Sequence, residues 1–169
     1  MIDGCWKHSG WDLLVLLVIL VASGGCGSSQ EDSLEVLAQQ VRSGTLDRIV
    51  VPEARVQDRD LASLANLQGL VHLSIQESQI TDEGLRYLAG LKNLEHLHLR
   101  GAQVGDPGIE HLLGLAKLRN LNLPQSQLTD AGMKRLTELP SLELLRIGSP
   151  HLTNSSLKFV AMMPRLRFL

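Results

Sequence analysis

From Ile49 onward the apolar positions of this chain return every 24 residues. At that period Ile49, Leu73, Leu97, Leu121, Leu145 and Leu169 share one column, and two residues later Val51, Ile75, Leu99, Leu123 and Ile147 share another. Val56, Ile80, Val104, Leu128 and Leu152 form a third. Each unit then closes on Leu61, Leu85, Ile109, Met133 or Leu157, followed by Leu64, Leu88, Leu112, Leu136 or Val160. Five units fit without an insertion, and Leu169 stands at the start of a sixth, so residues 49–169 form one repeat array.

The period changes inside each unit. Around His96–Leu99, apolar and polar residues alternate, as in a half-buried strand. Further on, Leu85, Leu88 and Leu91 recur every third residue, which suits a short helix or 3₁₀ turn. A strand and a helical turn cannot bury their own leucines, so neighbouring units must stack. The expected fold is an α/β solenoid with a parallel sheet on the concave face and short helices on the convex face.

The segments QITDEGLRYLAGLKNLEHLHL (79–99) and QLTDAGMKRLTELPSLELLRI (127–147) resemble leucine-rich repeats with a TDxGL signature. Such repeats occur in many bacterial exported proteins and, as longer units, in F-box proteins. The resemblance covers 49–169 and implies a leucine-rich-repeat horseshoe. It implies no particular ligand, because that fold carries many unrelated functions. The leader described below sets the chain apart from the ubiquitin-ligase group.

Several polar columns read as scaffold. Asp58, Asp82, Asp106, Asp130 and Asn154 align, and both residue types accept hydrogen bonds from the free amides of a helix start. Pro107 stands where a first helical residue is expected. Calcium would need several oxygens within one loop, and this column supplies one acid per unit. The column Ala54, Ser78, Ala102, Ser126 and Pro150 is small and is expected to turn inward beneath the strand. Gly84, Gly108 and Gly132 align with the compact Asp60 and Ser156.

The array is preceded by two further segments. Ser33 or Asp32 can cap a helix over 33–48 whose apolar face is Leu34, Leu37 and Val41 and which Gly44 can end. Such a helix would shield the core of the first repeat. Before it, the uncharged run LLVLLVILVA (13–22) suits a signal-peptide core and is short for a membrane span. ASGGC (22–26) resembles a bacterial lipobox, with serine at 23 where leucine is usual. The resemblance implies that residues 1–25 are removed and that Cys26 carries a lipid, with 26–32 as a flexible tether. An uncleaved anchor or an ordinary secretion signal is the alternative. Either way the protein is expected to be exported, as a lipoprotein of the cell envelope or else secreted or periplasmic.

Composition then removes several classes of function. A formal net charge of −2 gives no overall basic character for nucleic acid. Aromatics are 3% of residues, and Trp6 and Trp11 lie in the leader, so stacking platforms for bases or sugars are scarce. Cys5 and Cys26 supply neither a disulfide framework nor a zinc cluster. No cofactor is implied.

Between the buried leucines, alternate strand side chains face the concave surface. These columns are His72, His96, Asn120, Leu144 and Phe168; Val50, Ser74, His98, Asn122 and Arg146; and Pro52, Gln76, Arg100, Pro124 and Gly148. They vary from unit to unit, as a selective surface on a fixed scaffold does. His72, His96, His98, Arg100, Asn122 and Arg146 are the expected partner-binding residues, for a protein or a glycan. Three imidazoles could hold zinc, but no carboxylate or cysteine completes the set, so no metal is assigned. Ser74, His98 and Asp106 could be mustered as a triad, yet no nucleophile elbow or phosphate loop supports catalysis. Leu144 and Phe168 make the last units more apolar, and the last strand would show an open edge. A longer repeat protein, dimerisation or a capping partner would each explain that edge, so oligomeric state stays open. A non-enzymatic binding or scaffolding module is the leading expectation. A remnant of a larger repeat protein without a separate role is the alternative.

Overall fold

The computed structural model describes residues 30–52 and 55–168. Five parallel strands form one sheet: β1 (Arg48–Val51), β3 (His72–Ile75), β5 (His96–Leu99), β6 (Asn120–Leu123) and β7 (Leu144–Ile147), in chain order. The register is the sequence period itself, with Leu73 beside Leu97, Leu97 beside Leu121 and Leu121 beside Leu145. Two short strands, β2 (Val56–Gln57) and β4 (Ser78–Gln79), form a second parallel pair. Opposite the main sheet lie the turns Asp58–Leu64, Asp82–Leu88, Asp106–Leu112, Asp130–Leu136 and Asn154–Val160. Between the two layers runs an uninterrupted core in which Leu73, Leu97, Leu99, Leu121, Leu123 and Leu145 are fully buried.

Helix α1 (Gln30–Arg42) covers the first unit. Leu34, Ala38 and Val41 are buried, and Leu37 packs partly against the same core. The guanidinium of Arg42 donates to the carbonyl of Ser63 at 2.7 Å, joining the cap to the first helical turn. The helix bounds differ from the expected 33–48. It already includes Asp32 and Ser33, so neither caps its start, and the expected tether of 26–32 turns helical at Gln30. It ends at Arg42, with Gly44 in the left-handed region (φ 73°), where a side chain would be strained. Residues 1–29, which include Cys26 and the export signal, lie outside the described residues, as does Ala54.

The aspartate column does something other than the expected capping. Asp58, Asp82, Asp106 and Asp130 are each the first residue of their own helical turn, which places Pro107 second. The caps are the residues before the later turns: Thr81, Thr129 and Thr153 accept from the amides of Glu83, Ala131 and Ser155. Each aspartate instead reaches into the following unit. Asp58 accepts from the Thr81 amide at 2.8 Å and from its hydroxyl at 2.7 Å. Asp106 does the same to Thr129 at 2.9 and 2.6 Å, and Asp130 holds Thr153. Asp82 takes the Gly105 amide at 2.7 Å, where no hydroxyl is present. Because the threonine hydroxyl donates its hydrogen bond to the carboxylate, its lone pair is left facing the helix amide. One acid thus joins two units and orients the next cap.

The clamp also explains the glycine column. A methyl at Gly84, Gly108 or Gly132 would collide with the carboxylate of Asp58, Asp82 or Asp106 respectively. At Ser156, where the turn is 3₁₀, the column accepts a side chain, and its hydroxyl bonds the Thr153 carbonyl at 2.8 Å. In the first unit Asp60 is buried, and its Oδ2 accepts from the Gln57 amide at 2.8 Å. Ser78, Ala102 and Ser126 of the small column are buried as expected. Pro150 is exposed, because the last loop has no following unit against it among the described residues.

Removing the clamp by Asp106→Ala should cost about 1.5–3 kcal/mol, the range for hydrogen bonds to a charged group. Gly132→Ala should cost a similar amount, about 1–3 kcal/mol, by overpacking. In the Asp106→Ala background the glycine change should be cheaper, leaving only the approach to Leu128 Cδ2 at 2.7 Å. Urea unfolding of the four proteins measures this coupling, and strict additivity would contradict the clamp.

Candidate functional site

With the leucines turned into the core, the alternate strand positions form the outer face of the sheet. Pairing places His72 beside His96, Ser74 beside His98, His98 beside Asn122, and Asn122 beside Arg146. Five of the expected site residues therefore lie on adjoining strands. His72, His96, His98 and Asn122 are half-buried, whereas Arg146 is exposed. Arg100 is also exposed, but it stands just past the end of β5, where its amide donates to Ile75 O at 3.0 Å.

The three imidazoles form a cluster. The His72 ring centroid is 5.3 Å from that of His96 and 5.6 Å from that of His98. Burial, reinforced by Arg48, His96 and His98 and opposed by Asp47, lowers His72 to about 4. Burial and then His96 also hold His98 below the usual histidine value. Both rings are consequently uncharged near neutral pH and can either donate or accept hydrogen bonds. No group of three or more His, Cys, Asp or Glu among the described residues is arranged to hold a metal ion. Ser74 is buried, and its hydroxyl accepts from the Gln76 amide at 3.0 Å. Asp106 is committed to Thr129, so the conceivable Ser74, His98 and Asp106 triad is not assembled. Asn122 Oδ1 is buried without a hydrogen-bond partner.

Two features escaped the sequence reading. Arg48 pairs in register with His72 and is exposed, extending the face by one strand. It stands 24 residues before His72, so running the period one residue earlier than Ile49 would have found it. The second is a groove of about 610 Å³ beyond the strand ends, whose lining includes Gln76, Arg100, Gly101 and Gln125. The Gly101 amide donates to Gln125 Oε1 at 2.6 Å across neighbouring units. The groove arises from loop geometry, which the period does not encode. At the other end of the array, Phe168 bridges to Leu144 and remains 65% exposed, giving the expected apolar rim.

Residues 67–89 and 90–113 match the family model described as Leucine Rich repeat. Among solved structures, an internalin (inlF) from Listeria monocytogenes is 25% identical with a TM-score of 0.66, over 79% of this chain and 36% of that one. The chain thus spans about a third of that internalin's length. Internalin C2 from the same organism is 18% identical, with a TM-score of 0.53 over 92% of this chain and 81% of its own. The actin-binding site 2 segment of leiomodin-1 is 12% identical, with a TM-score of 0.59 over 82% and 90%. No curated protein matches the chain. The fold is a leucine-rich-repeat solenoid, with its parallel sheet on one side and short helices on the other.

The histidine cluster predicts a pH dependence. Because folding lowers His72 and His98, the unfolded chain binds more protons below about pH 6.5. The His72 contribution to stability is complete above that value and is lost as pH falls toward about 4, and that of His98 is lost in the same direction. His72→Asn should flatten this part of the profile, which urea midpoints across the window would reveal. Parallel profiles for the wild type and the variant would contradict the lowered His72.

Proposed function

We propose that this chain is a non-enzymatic protein-binding module that recognises its partner on the sheet face. The supporting observation is the contrast between the two sides of each unit. The clamp and core positions are held almost constant, while the outward series Val50, Ser74, His98, Asn122 and Arg146 changes at every step. A scaffold fixed in this way can vary its face without altering its fold. The solved structures add support of the same kind, since the leiomodin-1 segment named for binding actin is built on a similar frame.

On this reading, His72, His96, His98, Arg100, Asn122 and Arg146 contact the partner, and a glycan is the alternative ligand. The export signal read in the sequence leads us to place the module at the cell envelope, anchored through a lipid on Cys26. Among the described residues no helix is long and apolar enough to cross a membrane.

Crosslinking capture from native cell envelopes, comparing the wild type with a His96→Ser, His98→Ser, Arg100→Ser variant, tests the binding face. The wild type should retain a protein that the variant loses, at an almost unchanged melting temperature. Equal capture by both would remove the sheet face as the site, and a captured glycan would replace the protein partner. Cys26→Ser separately tests the anchor. It should move the protein from the membrane fraction to the soluble one, and an unchanged distribution would refute lipidation at that residue.

A further inference from the structure

The outward sheet positions share a property that the chain as a whole does not. From β1 to β7 they are Arg48 and Val50, His72 and Ser74, His96 and His98, Asn120 and Asn122, and Leu144 and Arg146. Gln76 and Arg100 continue the same alternation past the strand ends. None of these is an acid, although acidic residues exceed Lys and Arg in the full chain, 18 to 16. Arg48, Arg100 and Arg146 are all exposed, and among the described residues none has an ion pair or a hydrogen bond from its guanidinium.

The nearest acids lie at the border of the face. Glu95 and Glu143 directly precede β5 and β7, and both face Arg119, at 4.0 and 2.7 Å. Asp47 precedes β1, and Glu77 lines the groove shared with Arg100. Asp58, Asp82, Asp106 and Asp130 of the helical turns are occupied as clamps on the other layer, where Glu83 and Glu110 pair with Arg86 and Arg135. The outward positions therefore carry three unpaired arginines and no acid, with Asp47 next to Arg48 in the chain and Glu77 in the groove of Arg100 at the border of the face.

We infer that the partner presents an acidic segment, an extended stretch of protein rich in Asp or Glu, to the arginines of the sheet face. This deepens the proposed protein-binding function and rests on it. Guanidinium groups pair with carboxylates through two parallel hydrogen bonds, and an acid-free surround adds no repulsion. Between them, the amides of Gln76, Asn120 and Asn122 and the uncharged rings of His72 and His98 can meet a peptide backbone. Adjacent strands lie about 4.8 Å apart, so the four steps from Arg48 to Arg146 span roughly 19 Å, about six residues of extended chain. A sulfated or carboxylated glycan shares the charge, so it serves as the competing anion in the test. Among the outward positions from β1 to β7 none is Phe, Tyr or Trp, and Phe168 stands at the rim beside Leu144.

The test uses purified protein and fluorescein-labelled octapeptides of glutamate or glutamine, with a heparin octasaccharide as the competing anion, all read by anisotropy. The glutamate peptide should bind and the glutamine peptide should not, with affinity falling as salt rises. Arg48→Glu with Arg146→Glu should weaken binding about tenfold or more, as charge reversal at a complementary interface does. Arg48→Gln with Arg146→Gln should give a smaller loss. Circular dichroism verifies that these exposed changes leave the fold intact. Equal binding of the two peptides, or no effect of the reversal, would overturn the inference. So would a heparin fragment that alone shows reversal-sensitive binding. Capture that is lost in the triple serine variant but unaffected by the Arg48 and Arg146 reversal would leave the sheet face as the site and remove only the acidic partner. Capture unaffected by either would remove both.

Discussion

A strand of four residues and a helical turn leave their leucines in water unless a second unit lies against them. Leu97, for example, is fully buried only because Leu73 and Leu121 flank it on adjacent strands. Stability is therefore a property of the interfaces between units, and each unit serves as a wall for the next. The ends of such an array need separate treatment. Here α1 lays Leu34, Ala38 and Val41 over the first unit, replacing the neighbour that unit lacks.

Apolar burial is not directional and would tolerate some sliding of one unit on another. The aspartate clamp limits that freedom. In Asp106 one carboxylate accepts two hydrogen bonds from Thr129, fixing the distance between successive helix starts. It also leaves no room for a side chain at Gly132. The sheet on the opposite layer fixes the same 24-residue offset through its backbone ladder. Two independent rulers, one in each layer, therefore agree on one register, and the outward side chains are presented at fixed spacing.

This division explains which features could be read from the chain. The strands, their pairing and the buried columns follow from a strict period, because a repeated apolar position in a stacked array has one place to go. The clamp was not legible, since Asp at a helix start is equally compatible with capping its own turn. Only the folded arrangement distinguishes that from a bond made 23 residues away, as between Asp106 and Thr129. The start of α1 was missed for a related reason. Asp32 and Ser33 have cap chemistry, but the helix continues through them. Arg48 is less legible because the apolar period begins at the buried Ile49, and an exposed arginine before it adds no apolar signal.

The clamp also bears on the chemistry of the opposite face. It requires an acid at the start of nearly every helical turn, and those acids are spent on hydrogen bonds within the helical layer. At the strand starts, Glu95 and Glu143 are turned toward Arg119. Charge that is balanced over the whole chain is thus separated between its layers, with acids engaged at the turns and unpaired arginines on the sheet. Coulomb interactions over such distances are weak in water and weaken further with salt, so the separation adds little to folding. Its effect is felt at the surface, where a low density of competing acids leaves Arg48, Arg100 and Arg146 free to meet carboxylates from outside. The residues that set the spacing of the scaffold and those that would select a partner are different, yet the acids recruited by the first leave the second its sign.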